Sequence, residues 1–303
     1  MPPKDRYTCA PGKTNRPTTE QLLHLLLAGL FSERLVPEGS VIDVGANDGE
    51  MACYYASLDP QRTVHAMEAG RGHYDHLVER YRTVGNMKVT HGAIGSEDIA
   101  QDSKQNPGVT GVYDGQKMPV WQKRKLAYPV YRIDTLFSPA GLFGGERLGF
   151  WHIDIEGHEL LALRGATATL ARDRPLIAAE VFVHVNHSYT AALHAMFVSV
   201  GYAAYIVDEA CGGFDCRNLL CVPQEMVPKL MASSNSFNLA LVSGAILETH
   251  TASDLFRLTA DTIPKFNASC TYQHHFGSPI RNPVQRGNWA QLTPEHPQGR
   301  YSQ

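Results

Sequence analysis

The chain carries little that would tie it to a membrane, a polyanion or a disulfide-built scaffold. Its 303 residues hold 27 Lys and Arg against 30 Asp and Glu. A formal net charge of -3 gives no overall attraction to nucleic acid or to an acidic lipid surface. The one dense basic cluster, Lys123-Arg124-Lys125 beside Trp121, reads as a solvated loop. No apolar run approaches the ~20 residues that span a bilayer. The most apolar early stretch, Leu22 to Phe31, is interrupted by His24. It is a poor signal peptide too, because Glu33 and Arg34 follow it instead of a small-residue cleavage site. Six cysteines are too few for a disulfide scaffold. Cys211, Cys216 and Cys221 do lie close together, yet they match no common zinc spacing. Ordinary buried thiols, one disulfide or a metal all stay open for that cluster, in that order. Lack of a signal segment favours a cytoplasmic protein. The cysteine cluster and two sequons, at Asn186 and Asn267, leave a luminal setting open. No repeat is visible, and oligomeric state is not legible.

What is present is an ordinary globular composition, 43% hydrophobic and 19% charged. After a polar, proline-rich start, a helix is expected over about 18–35. Short apolar runs then alternate with helical stretches. Strands are expected at 40–44, 63–68, 87–91, 128–136, 148–155, 175–183, 204–207 and 219–222. Helices are expected at 49–58, 74–84, 159–171 and 190–200. Such alternation implies a mostly parallel sheet of α/β type. Residues 95–128 read as a long insertion rich in Gly, Pro and Gln, and the pattern weakens beyond 224. The expected organisation is therefore 1–37 as tail and helix, 38–224 as the catalytic domain, and 225–303 as an irregular extension.

In a sheet of this kind, ligands bind at the carboxyl ends of the strands. Val41-Ile-Asp-Val-Gly-Ala-Asn-Asp-Gly49 runs from a strand through a glycine turn into a helix. It is not the dinucleotide fingerprint, since Asn47 stands where the second glycine should be. That absence argues against an NAD-dependent oxidoreductase. No Lys-Ser/Thr pair follows, which excludes a phosphate-binding P-loop. Polar Asp43 and Asn47 at the turn suit a zwitterionic ligand. Glu68, ending the next strand, is placed to accept hydrogen bonds from ribose hydroxyls. Ala93 and Ile94, after the third strand, could border an adenine ring. His152-Ile-Asp-Ile-Glu-Gly-His-Glu159 gathers titratable groups at another strand end, as an active site would. Glu180 and His184, after the following strand, could contribute from the adjacent side. Oxygen ligands near Asp154 could hold Mg²⁺, but nothing in the spacing demands a metal and none is expected.

These segments, with Ile133-Asp-Thr-Leu136 and Leu163-Arg-Gly-Ala166, resemble the FkbM-type methyltransferases over roughly residues 38–210. The resemblance implies a Rossmann-like class I methyltransferase sheet that binds S-adenosylmethionine. It also implies methylation of a hydroxyl group, often on a sugar, glycan or polyketide natural product. By that likeness Asp43, Gly45, Ala46, Asn47 and Gly49 would hold the methionine end of the cofactor. Glu68 and Ala69 would hold the ribose, with Ala93 and Ile94 beyond. Asp154 would lie near the transferred methyl. Asp154 and His158 are the candidate general bases, with Glu156 and Glu180 in reserve. The long insertion and the C-terminal segment depart from the family pattern. A non-catalytic S-adenosylmethionine-binding module is the alternative function, and an RNA methyltransferase a weaker one, because the chain lacks a basic face.

Overall fold

The structure, a computed structural model, describes residues 9, 21–102, 128–182, 187–207, 216–233 and 246–251. Most of the expected insertion, the basic cluster at 123–125, Cys211, His184 and both sequon asparagines lie outside the described residues. The chain divides into two compact units. The first comprises Met1–Pro17, Arg34–Gly111 and Lys117–Ala178, and the second Thr18–Glu33, Val112–Gln116 and Ala179–Gln303.

The first unit is built on four parallel strands in the order β6-β1-β2-β3: β6 (Leu148–Ile153), β1 (Ser40–Val44), β2 (Val64–Glu68) and β3 (Met87–His91). Every residue of β1 and β6 is buried. Their near-continuous apolar runs reflect that burial, since a strand covered on both faces loses the in–out alternation. The connecting helices α2 (Glu50–Leu58) and α3 (Arg71–Tyr81) pack on these strands. α2 carries Cys53, which is joined to Cys9 by a disulfide. A small second sheet pairs β4 (Ala93–Ile94) with β5 (Val130–Tyr131) in parallel.

Two expectations are corrected here. The strand expected across 128–136 is only the two residues of β5. A helical turn, α4 (Ile133–Leu136), follows it, with the Thr135 and Leu136 N–H groups both donating to the Arg132 carbonyl. The single helix expected over 159–171 is two, α5 (Glu159–Arg164) and α6 (Thr167–Asp173). The break falls at Gly165, where a Cβ would lie 2.0 Å from the Gly95 carbonyl oxygen. The Gly165 carbonyl accepts the Asp134 N–H at 3.0 Å. The Asp134 carboxylate in turn accepts the Ala168 and Thr169 N–H groups, at 3.2 and 2.8 Å. The N-terminus of α6 is thus capped from another segment of chain, in place of the usual neighbouring side chain.

β7 (Leu176–Phe182) begins in the first unit and ends in the second. The second unit contains α1 (Gln21–Ser32), α7 (His187–Ser199), β8 (Tyr202–Val207), β9 (Cys216–Pro223), α8 (Val227–Ser233) and β10 (Ile246–Thr249). β8 is antiparallel to both β9 and β10. The sheet is mostly parallel, as expected, and these antiparallel pairs are its exceptions. α8 and β10 also give regular structure to a stretch read as irregular, and the His194 ring bonds Thr249 of β10 at 3.0 Å. Cys221 is a buried free thiol on β9, and burial pushes its pKa well up.

Candidate active site

β1 ends in a turn that only special residues can make. Gly45 and Gly49 have φ of 86° and 82°, and Asn47 between them has φ of 48°. All three lie in the left-handed region, which glycine enters freely and asparagine more readily than most. A Cβ on Gly45 would lie 1.7 Å from the Asp154 carbonyl oxygen. The missing side chain is therefore what lets the turn close against the end of β6. Backbone N–H groups of Gly45 and Ala46 both donate to the Met67 carbonyl, locking the turn to β2.

Glu68, the last residue of β2, is held by two backbone donors. The Asn47 N–H reaches its Oε2 at 2.9 Å and the Gly70 N–H its Oε1 at 2.6 Å. Each carboxylate oxygen keeps a lone pair for a further donor. A cavity of about 640 Å³ opens beside it, its described lining residues all in the first unit. Its walls include Gly45, Asn47, Glu68, Ala69, Ala93 and Ile94 of the expected cofactor residues. They also include Asp154, Glu156 and His158 of the expected catalytic ones.

Asp43, Ala46 and Gly49 do not line it. Asp43 faces His152 across the β1–β6 register, and its Oδ1 lies 2.7 Å from the His152 Nδ1 with both side chains buried. Gly49 instead packs against α3, where a Cβ would meet Tyr81 and Leu77. Glu180 is buried on β7, in the part of that strand belonging to the second unit.

The turn after β6 is shaped by charge. Glu159 is buried, and its Oε1 accepts the Gly157 N–H at 3.1 Å and the Ile155 N–H at 3.3 Å. It serves the shape of the turn, whereas the sequence presented it as one of the titratable groups at the strand end. Glu156 has φ of 54°, a strained conformation for a residue with a Cβ. Its side chain opens to solvent, yet the protein around the carboxyl, and then the charges of Asp154 and Glu159, raise its pKa. The His158 Nδ1 lies 3.1 Å from the Ile155 carbonyl oxygen. A carbonyl only accepts, so Nδ1 is the protonated nitrogen and Nε2 of the neutral ring carries a lone pair.

Sequence reasoning missed Tyr128, His73, Glu97 and Arg164, which also line the cavity. Arg164 was legible only as part of a motif, and Tyr128 was hidden at the edge of a polar insertion. Among the described lining residues, four carboxylates (Glu68, Glu97, Asp154, Glu156) stand against the guanidinium of Arg164, which makes these walls acidic. Such walls favour a ligand carrying positive charge. A tight turn that a Cβ would block, a fixed carboxylate one strand over, and acidic walls fit a sulfonium nucleoside bearing an amino-acid end.

Together, fold and site define a Rossmann-like methyltransferase. The chain belongs to the FkbM methyltransferase family, whose model, described as Methyltransferase FkbM domain, matches residues 43–204. S-adenosylmethionine is its cofactor. Among solved structures, it is similar to the methyltransferase FkbM of Methylobacillus flagellatus KT, at 18% identity and a TM-score of 0.40. That match covers 60% of this chain and 43% of the other, so this chain spans less than half of that relative's length. It is also similar to Aeropyrum pernix fibrillarin, solved with natively bound S-adenosyl-L-methionine, at 14% identity and a TM-score of 0.39, covering 66% and 74% of the two chains. A precorrin-6y C5,15-methyltransferase of Geobacter metallireducens GS-15 matches at 12% identity with a TM-score of 0.36, over 72% of this chain and 94% of the other. Likenesses this distant carry no acceptor across. No curated protein matches the sequence. Among the described residues, no helix is long and apolar enough to cross a membrane.

Proposed function

We propose that the protein transfers a methyl group from S-adenosylmethionine to a hydroxyl oxygen of a small-molecule or glycan acceptor, a sugar or a natural product. The observation that carries this reading is the placement of His158 and Asp154 on the same cavity as Glu68 and the glycine turn. S-adenosylmethionine supplies a methyl bonded to a positively charged sulfur. Transfer would exchange its carbon–sulfur bond for a carbon–oxygen bond, and the hydroxyl proton would have to leave. A sugar hydroxyl is a weak nucleophile at neutral pH, so a base at the oxygen matters. His158 Nε2 receives the proton in this scheme, its ring held by the Nδ1–H bond to Ile155. Asp154 and Glu156 offer carboxylates that orient the hydroxyl and favour the cationic sulfur beforehand. Alignment of oxygen and methyl within the cavity supplies a further share of the rate.

The test is release of S-adenosylhomocysteine from S-adenosylmethionine across a panel of sugars, glycosides and polyketide alcohols. Turnover with hydroxyl acceptors is expected, and His158→Ala is expected to lower kcat about 100-fold while S-adenosylhomocysteine still binds. Turnover confined to amine or carbon acceptors would overturn hydroxyl transfer. Unchanged kcat in the His158 variant would remove that residue as the base.

A further inference from the structure

Tyr128, the last residue of the expected insertion, lines the cavity. Its position is fixed by backbone pairing. The Ala93 N–H donates to the Pro129 carbonyl at 2.9 Å, and the Gly95 N–H to the Tyr131 carbonyl at 2.9 Å. Val130 pairs with Ala93 and exchanges backbone hydrogen bonds with Ile99, both 2.8 Å. Residues 128–131 are thus laid alongside 92–95. Contact is close enough that a Cβ on Gly92 would stand 2.7 Å from the Tyr131 ring and 3.0 Å from the Pro129 oxygen.

This pinned backbone puts the half-buried Tyr128 side chain on the cavity that Glu68, Ala69 and Ile94 also line. The Gly92 N–H in turn donates to the Glu68 carbonyl at 3.0 Å, which lays the segment paired with residues 129–131 against the Glu68 end of β2. Burial, then the Glu68 charge, raises its pKa and keeps the hydroxyl protonated, a donor beside an acceptor. No described residue takes a hydrogen bond from it. An aromatic face, a free donor and a fixed carboxylate on one wall are what a nucleoside needs: a surface for the base, and partners for ribose hydroxyls and ring nitrogens.

We propose that Tyr128 is a cofactor-binding residue that holds the adenosine moiety of S-adenosylmethionine together with Glu68. The inference rests on this cavity being the cofactor site.

The experiment is calorimetric binding of S-adenosylhomocysteine and of 5′-methylthioadenosine, which lacks the amino-acid end, to wild type and to Tyr128→Phe, Tyr128→Leu and Tyr128→Ala. Loss of the ring is expected to weaken both ligands by roughly tenfold or more, and loss of the hydroxyl alone by about three- to tenfold. Tyr128→Leu keeps the apolar packing and stands in if the alanine variant fails to fold. Binding of both ligands within twofold of wild type in the folded leucine variant would overturn the inference and leave the cofactor site intact. A folded wild type that binds neither ligand would instead bring down the cofactor reading of the cavity, and this inference with it.

Discussion

His65 shows how a single buried ring sets a pH dependence. It is fully buried on β2, stacked on Phe143 with ring centroids 3.7 Å apart, and its Nε2 lies 2.9 Å from Glu146. Its Nδ1 has no partner among the described residues, so a second proton would bury an unmet N–H. Burial lowers the ring's pKa below its ordinary 6.5, outweighing the Glu146 carboxylate, which pulls the other way. The unfolded chain therefore binds a proton below pH 6.5 that the native chain refuses. Stability from this site is complete above that value and is lost as pH falls beneath it. His65→Phe keeps the packing and removes the titration. At pH 7 it is expected to cost about 1 kcal/mol, the worth of the lost hydrogen bond, and at pH 5 its deficit should shrink. Urea unfolding at the two pH values checks this, and wild-type and variant profiles that stay parallel would count against it.

Among the elements, legibility followed where each one's reasons lie. β1 and β3 were readable to the residue because a short β-branched or apolar run ending at glycine is a local pattern, whether the strand is buried throughout as β1 is or only at its first residue as β3 is. The glycine turn and Glu68 were readable for the same cause. The breaks around α4, α5 and α6 were not, because Gly165 yields to the Gly95 carbonyl and Asp134 caps α6 from 34 and 35 residues away. Asp43 looked like a ligand contact because no sequence pattern reveals a cross-strand histidine. The cysteines drew attention to the 211–221 cluster, whereas the disulfide joins Cys9 to α2, just after the glycine turn. Its partners are 44 residues apart. Closing a loop of that length removes unfolded-chain entropy worth about 4 kcal/mol. Cys9→Ser should lower Tm by about 10 °C, and dithiothreitol should lower wild type equally while leaving the variant unmoved. A Tm unaffected by either treatment would mean the bond contributes nothing to stability.

For the whole molecule, the two units make ligand binding a test of where the site lies. Every described residue lining the cavity belongs to the first unit. A ligand that binds only folded protein stabilises the unit that holds it, by about 2.7 kcal/mol at 100 times its dissociation constant. For a unit of this size that corresponds to about 5–10 °C. S-adenosylhomocysteine and S-adenosylmethionine should each give such a shift and NAD none, because the turn lacks the glycine spacing for a pyrophosphate. The acidic walls, in a chain of net charge only -3, concentrate negative potential where the cationic sulfur would lie. If calorimetry resolves two transitions, the shift should fall on the one belonging to the first unit. Hydrogen exchange can assign it through the amides of β1, β2 and β6. Glu68→Ala should abolish most of the shift while leaving the ligand-free Tm of the other transition in place. A shift shared equally by both transitions would mean that the units unfold as one. A shift produced equally by NAD would mean that the glycine turn does not discriminate as its backbone geometry requires.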